Sequence, residues 1–90
     1  MINNPMNELE SLKKKIIYRS SYRGTKEMDI LLGSFVKKVI NSLSLEELKN
    51  LDDFMNCNDE DIQNYYLNNV PIKTFKDKKI LNLFISCKDI

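Results

Sequence analysis

The chain has 90 residues, 42% of them apolar, and a formal net charge of +1, which describes one small folded domain and excludes a highly charged disordered chain. It contains no histidine and only two cysteines, Cys57 and Cys87, without CxxC spacing. A His-ligated metal site is therefore excluded, and a zinc site would need unusual carboxylate help. No apolar run approaches the length that spans a bilayer.

The helical period runs throughout, and no stretch alternates as a strand would. Residues 1–7 read as a loose polar lead. Leu9, Leu12, Ile16 and Ile17 form one stripe of a first helix over about Glu8 to Ser21, with Lys13, Lys14, Arg19 and Arg23 on its other faces. Gly24 supplies a break, most simply a residue in the left-handed region just past the helix end. A second helix carries Met28, Leu31, Leu32, Phe35, Val36, Val39, Ile40 and Leu43 at 3–4 spacing. Gly33 inside it is costly for a helix, and a close helix or partner approach would account for it. Ser44 and Glu47 form a capping box that opens a third helix with Leu45, Leu48, Leu51, Phe54 and Met55 inward. The run Asn58 to Asp61 reads as an acidic helix start. A calcium loop is the poorer reading, because the glycine turn and terminal bidentate glutamate are missing. The short helix that follows presents Ile62, Tyr65 and Tyr66. Residues 68–71 form a loop, and Thr74 can cap a last helix with Ile80, Leu81, Phe84 and Ile85 inward and Lys76, Lys78, Lys79 and Lys88 outward or at its ends. The expected fold is all-α, a compact five-helix bundle forming a single small domain over residues 1–90.

The near-neutral total hides segregation. Lys13 to Lys26 holds six bases and no acid, whereas Glu46 to Asp61 holds seven acids and one base, Lys49. The expected molecule is dipolar, with a basic patch on an early helix and an acidic middle. That suits a protein partner of mixed charge and gives weak support to nucleic-acid binding.

Residues 19–29 carry the functional signal. They hold both arginines of a chain that otherwise uses twelve lysines, together with Gly24, one of its two glycines. Arg19 and Arg23 stand four residues apart, which suggests a planar, bidentate grip on a carboxylate or similar group that lysine cannot provide. Two solvated charges on a helix face is the plainer alternative. Glu27 and Asp29 project about 200° apart on a helix and cannot act as an acid–base pair. Phosphate-loop, dinucleotide and nucleophile-elbow motifs are all missing. The four tyrosines read as half-buried packing, and the two cysteines as small buried or half-buried thiols in a reducing compartment. The expectation is a binding protein rather than an enzyme. Arginines beside a glycine make an interaction hot spot, since the glycine lets another backbone approach.

The run Arg19-Ser20, then Arg23-Gly24-Thr25-Lys26-Glu27-Met28-Asp29, then Leu31-Leu32-Gly33-x-Phe35, resembles the signature of the succinate dehydrogenase assembly factor family. Its RGxxE core is present as Arg23, Gly24 and Glu27. The resemblance continues through Leu43-Ser44-x-Glu46-Glu47-Leu48 and Asp59-x-Asp61-Ile62, covering about residues 15–68. Tyr65 stands where members commonly carry tryptophan, and residues 73–90 match in helical character alone. The resemblance implies an assembly chaperone that binds the flavoprotein subunit of succinate dehydrogenase, or of the related fumarate reductase. It would promote covalent attachment of FAD to that partner without holding FAD stably itself. Arg23, Gly24 and Glu27 would form the contact patch, with Arg19, Lys26 and Asp29 beside it.

A monomer without membrane insertion is expected. The first residues lack the basic start and apolar core of a secretory signal and are not Arg-rich. The expected location is the bacterial cytoplasm, or the mitochondrial matrix for a processed organellar form. The alternatives are a helical nucleic-acid-binding module using the basic first helix and Lys76 to Lys79, or another protein-interaction module.

Overall fold

Local signals and one shared apolar core produce the architecture. A computed structural model describes residues 5–88 and contains α1 (Pro5–Ser21), α2 (Lys26–Val39), α3 (Leu45–Phe54), α4 (Asp59–Asn68) and α5 (Lys78–Ser86), with no strand among the described residues. The five-helix, all-α expectation holds. None of the described helices is long and apolar enough to cross a membrane.

The caps follow from side chains that satisfy otherwise orphaned amides. Thr25 accepts from the Met28 amide at the start of α2. The capping box forms as expected: the Ser44 hydroxyl accepts from the Glu47 amide at 3.2 Å, and the Glu47 carboxylate accepts from the Ser44 amide at 2.8 Å. Asn58 caps α4, whose first turn carries Asp59, Glu60 and Asp61. Asn69 ends α4 in the left-handed region at φ 59°.

Several boundaries differ from expectation. Residues 1–4 of the supposed loose lead lie outside the described residues, but Pro5 opens α1, a position its fixed φ favours. Arg23 lies beyond the end of α1 rather than on its surface. Gly24 is not left-handed, since no glycine has positive φ. The α2 helix stops at Val39 and the chain turns through Ile40 to Leu43. The last helix is capped by Asp77, whose carboxylate accepts from the Ile80 amide, and Thr74 lies in the preceding loop. That loop, longer than predicted, sends Ile72 and Phe75 into the core.

All four phenylalanines meet there. Phe54 lies 5.1 Å from Phe75, 5.3 Å from Phe84 and 6.2 Å from Phe35 between ring centroids. Each comes from a different segment, so the cluster ties α2, α3, the α4–α5 loop and α5 together. Ile16 is buried under α2 and α3, whereas Ile17, assigned to the same stripe, is 42% exposed because one helical step rotates it off the buried face. Leu81 and Ile85 are half-buried, flanking the fully buried Ile80 and Phe84. Gly33 leaves ordinary van der Waals space: a Cβ there would lie 4.0 Å from the Ser21 hydroxyl, so helix packing does not demand glycine.

Candidate functional site

The α1 helix packs on both α2 and α3. Its basic face thereby meets the acidic stretch that runs from α3 into the start of α4. The Arg19 guanidinium donates to the Asp52 carboxylate at 2.8 Å, to the Asp52 carbonyl at 3.1 Å and to the Asn56 side chain. Lys15 reaches the same Asp52 carboxylate at 3.1 Å.

Arg23 is held more tightly. Its Nε donates to Asp59 at 2.8 Å, and its two terminal nitrogens donate to the carbonyls of Met55 at 2.8 Å and Cys57 at 2.6 Å. Its side chain is 10% exposed and that of Asp59 is 29% exposed. A helix leaves its last carbonyls unpaired, and α3 has no basic residue in its own last turn. Arg19 and Arg23 supply from outside the positive charge that this end favours. Asp59 sits in the first turn of α4, where negative charge is favoured. One guanidinium thus bridges the C-terminus of α3 and the N-terminus of α4. An ammonium, lacking the planar fork, cannot face all three acceptors.

The corner between α1 and α2 is also tied down through the backbone of the same residue. The Arg23 amide donates to the Asp29 carboxylate at 2.5 Å. A Cβ at Gly24 would stand 3.2 Å from the second Asp59 carboxylate oxygen, closer than side-chain atoms comfortably pack. Gly24 therefore accommodates the Arg23–Asp59 pair through absence of a side chain rather than through unusual backbone geometry.

Of the six predicted site residues, Arg19, Arg23 and Asp29 make bonds within the chain, while Gly24, Lys26 and Glu27 are exposed together at the start of α2. The dipolar expectation is corrected by these pairs. Among the described residues, Lys13, Lys15, Arg19 and Arg23 each have an acidic partner, leaving Lys14 and Lys26 unpaired within the basic run. Sequence reasoning missed Asp52, Asp59 and the carbonyls of Asp52, Met55 and Cys57 as the arginines' partners. The complementary charge runs on either side of α2 were the available signal. It also misplaced two tyrosines. Tyr65 and Tyr66 are half-buried, but Tyr18 on α1 and Tyr22 just past its end are 66% and 70% exposed, with ring centroids 4.7 Å apart.

Cys57 is buried and Cys87 half-buried, both as free thiols. Burial pushes the Cys57 thiol above its ordinary value of 9.0, opposed by a hydrogen bond with Thr74.

Fold and site together define a small all-α protein whose α1–α2 corner is held by an internal arginine clasp. Residues 14–87 match the family described as flavinator of succinate dehydrogenase, and the chain belongs to this family of succinate dehydrogenase assembly factors. It is 35% identical over 82 residues to succinate dehydrogenase assembly factor 2, mitochondrial, of Dictyostelium discoideum, covering 91% of this chain and 58% of that protein. Against the protein of the same description from Komagataella phaffii it is 40% identical over 81 residues, covering 83% and 42%. Against the FAD assembly factor SdhE of Acetobacter pasteurianus it is 25% identical over 77 residues, covering 86% and 71%. The chain thus spans about half the length of the mitochondrial relatives. No solved structure matches it.

Proposed function

We propose that this chain is a non-catalytic assembly chaperone that docks on the flavoprotein subunit of succinate dehydrogenase, or of the related fumarate reductase, and promotes covalent attachment of FAD to it. The FAD stays with the partner. Gly24, Lys26 and Glu27 form the contact edge, and Arg19, Arg23 and Asp29 hold that edge in place. The observation that carries this reading is the exposed edge itself, set on a corner immobilised by the largely enclosed Arg23 side chain. The descriptions of the relatives support the client and the chemistry. Covalent attachment depends on orientation of groups already present in the client, and a rigid docking surface supplies orientation without a nucleophile of its own. Pairing of most of the basic run within the chain weighs against the nucleic-acid alternative. The working compartment is that of the client: bacterial cytoplasm, or mitochondrial matrix for an organellar form.

The test is in-gel flavin fluorescence of the denatured flavoprotein subunit, co-expressed with this chain, without it, and with Glu27→Ala. Glu27 is exposed and holds no bond to another residue among those described, so its truncation leaves the circular dichroism unchanged. A covalent-flavin band that requires the chain and fades with Glu27→Ala supports the proposal. An equal band in all three lanes refutes it. Gly24→Arg is the less clean variant, because its side chain also presses on the Arg23–Asp59 pair.

A further inference from the structure

A second surface lies away from the arginine clasp, where the α4–α5 loop passes between α4 and α5. It is an open groove of about 600 Å³ whose floor is apolar, made by Tyr65, Pro71, Ile72, Phe75 and Leu81. Its remaining lining residues are Lys73, Lys76 and Lys78, and no acid lines it. All three lysines are exposed, and none has an ion-pair partner among the described residues, whereas the neighbouring Lys79 is paired with Glu47. The one acid in this stretch, Asp77, is committed to capping α5.

The placement of these charges runs against local helix electrostatics. Lys78 and Lys79 occupy the first turn of α5, where the helix dipole disfavours cations and where α5 has no acid. By contrast, α2, α3 and α4 each carry acids in the first turn, although α2 also opens on Lys26. Lys79 is compensated by Glu47, but Lys78 is left facing the groove without an anion. Tyr65 stands six residues after Asp59 on α4, so the groove begins roughly 9 Å along the helix axis from the clasp.

We propose that this groove binds an extended acidic peptide segment of a partner protein, anchored by an apolar side chain on the Tyr65–Phe75–Leu81 floor. The lysine ammonium groups pair with carboxylates flanking that anchor. The floor supplies the apolar contact, and the unpaired lysines select negative charge and set the approach. The inference does not rest on the Gly24–Glu27 edge or on the identity of any client.

The experiment is fluorescence anisotropy of a labelled short peptide of alternating glutamate and leucine, titrated with the full chain. Controls are a polyglutamate peptide, a lysine–leucine peptide and phosphatidylglycerol vesicles. Lys73→Glu/Lys76→Glu/Lys78→Glu is compared with Lys14→Glu/Lys37→Glu/Lys49→Glu, which reverses three other exposed lysines and makes the same change in net charge. Circular dichroism verifies that both variants fold. The expected result is saturable binding of the glutamate–leucine peptide, weakened by about tenfold or more in the groove variant and far less in the control variant. Any of four results overturns the proposal: no binding, equal binding of polyglutamate, equal loss in both variants, or binding to vesicles but not to the peptide.

Discussion

Truncating Arg23 tests whether the clasp holds the α1–α2 corner. In Arg23→Ala, Asp59 loses its cation and the carbonyls of Met55 and Cys57 lose their donors. Removing one partner of a fully buried pair costs roughly 3–5 kcal/mol. Asp59 remains 29% exposed, so water partly replaces the lost charge. The expected loss is therefore about 2–3 kcal/mol, against a total stability of roughly 5–13 kcal/mol for a domain of this size. In a domain this small the melting temperature should fall by about 10–20 °C. Arg23→Lys keeps the charge but loses the fork, and its loss should fall between that of Arg23→Ala and none. Urea unfolding and thermal melts followed by far-UV circular dichroism read all three proteins. A melting temperature for Arg23→Ala within about 2 °C of the parent, or a lysine variant equal to the parent, would show that the three hydrogen bonds contribute nothing net.

Three further outcomes follow from local geometry. Ser44→Ala removes the α3 cap and should cost about 1 kcal/mol in urea unfolding without changing the m value; an unchanged midpoint would mean that water replaces the hydroxyl. Glu47 is held below its ordinary value of 4.5, first by the Lys79 hydrogen bond and then by the Ser44 amide, so the stability it contributes is present above pH 4.5 and lost as pH falls through its folded value. Glu47→Gln should flatten that acid limb, and an identical pH profile would remove Glu47 from the account. Cys57, with its thiol raised above 9.0 by burial, should react with Ellman's reagent only as fast as the protein opens, after the half-buried Cys87, and its contribution to stability, full below pH 9.0, is lost as pH rises through the folded value. Equal rates for the two thiols in the folded protein would contradict the burial.

The helices were legible because their signals are local. The α2 stripe, the Ser44 box and the acidic start of α4 each depend on residues within four positions of one another, and each appears in the structure. Boundaries failed where a competing local device won. Asp77 rather than Thr74 sets the start of α5, Gly24 follows α1 without entering the left-handed region, and the run from Ile40 to Leu43 turns although its apolar spacing continues. The loop residues Ile72 and Phe75 had no periodicity by which to be recognised as core. Phe75 is buried against the Phe54 ring, which comes 21 residues earlier in the chain.

Residue order alone sets the helical class, most of the caps and the two arginines that stand where a lysine-rich chain would otherwise use lysine. It also carried the family signature, since spacing within one segment is a property of the chain alone. What the arginines hold depends on how the helices pack. Packing of α1 against α3 brings Asp52, Asp59 and the carbonyls after α3 within hydrogen-bond reach across more than thirty residues. That contact turns an apparently dipolar chain into one whose basic and acidic runs pair. It leaves Gly24, Lys26 and Glu27 as the exposed edge, because a guanidinium satisfied by three internal acceptors is no longer free for a partner.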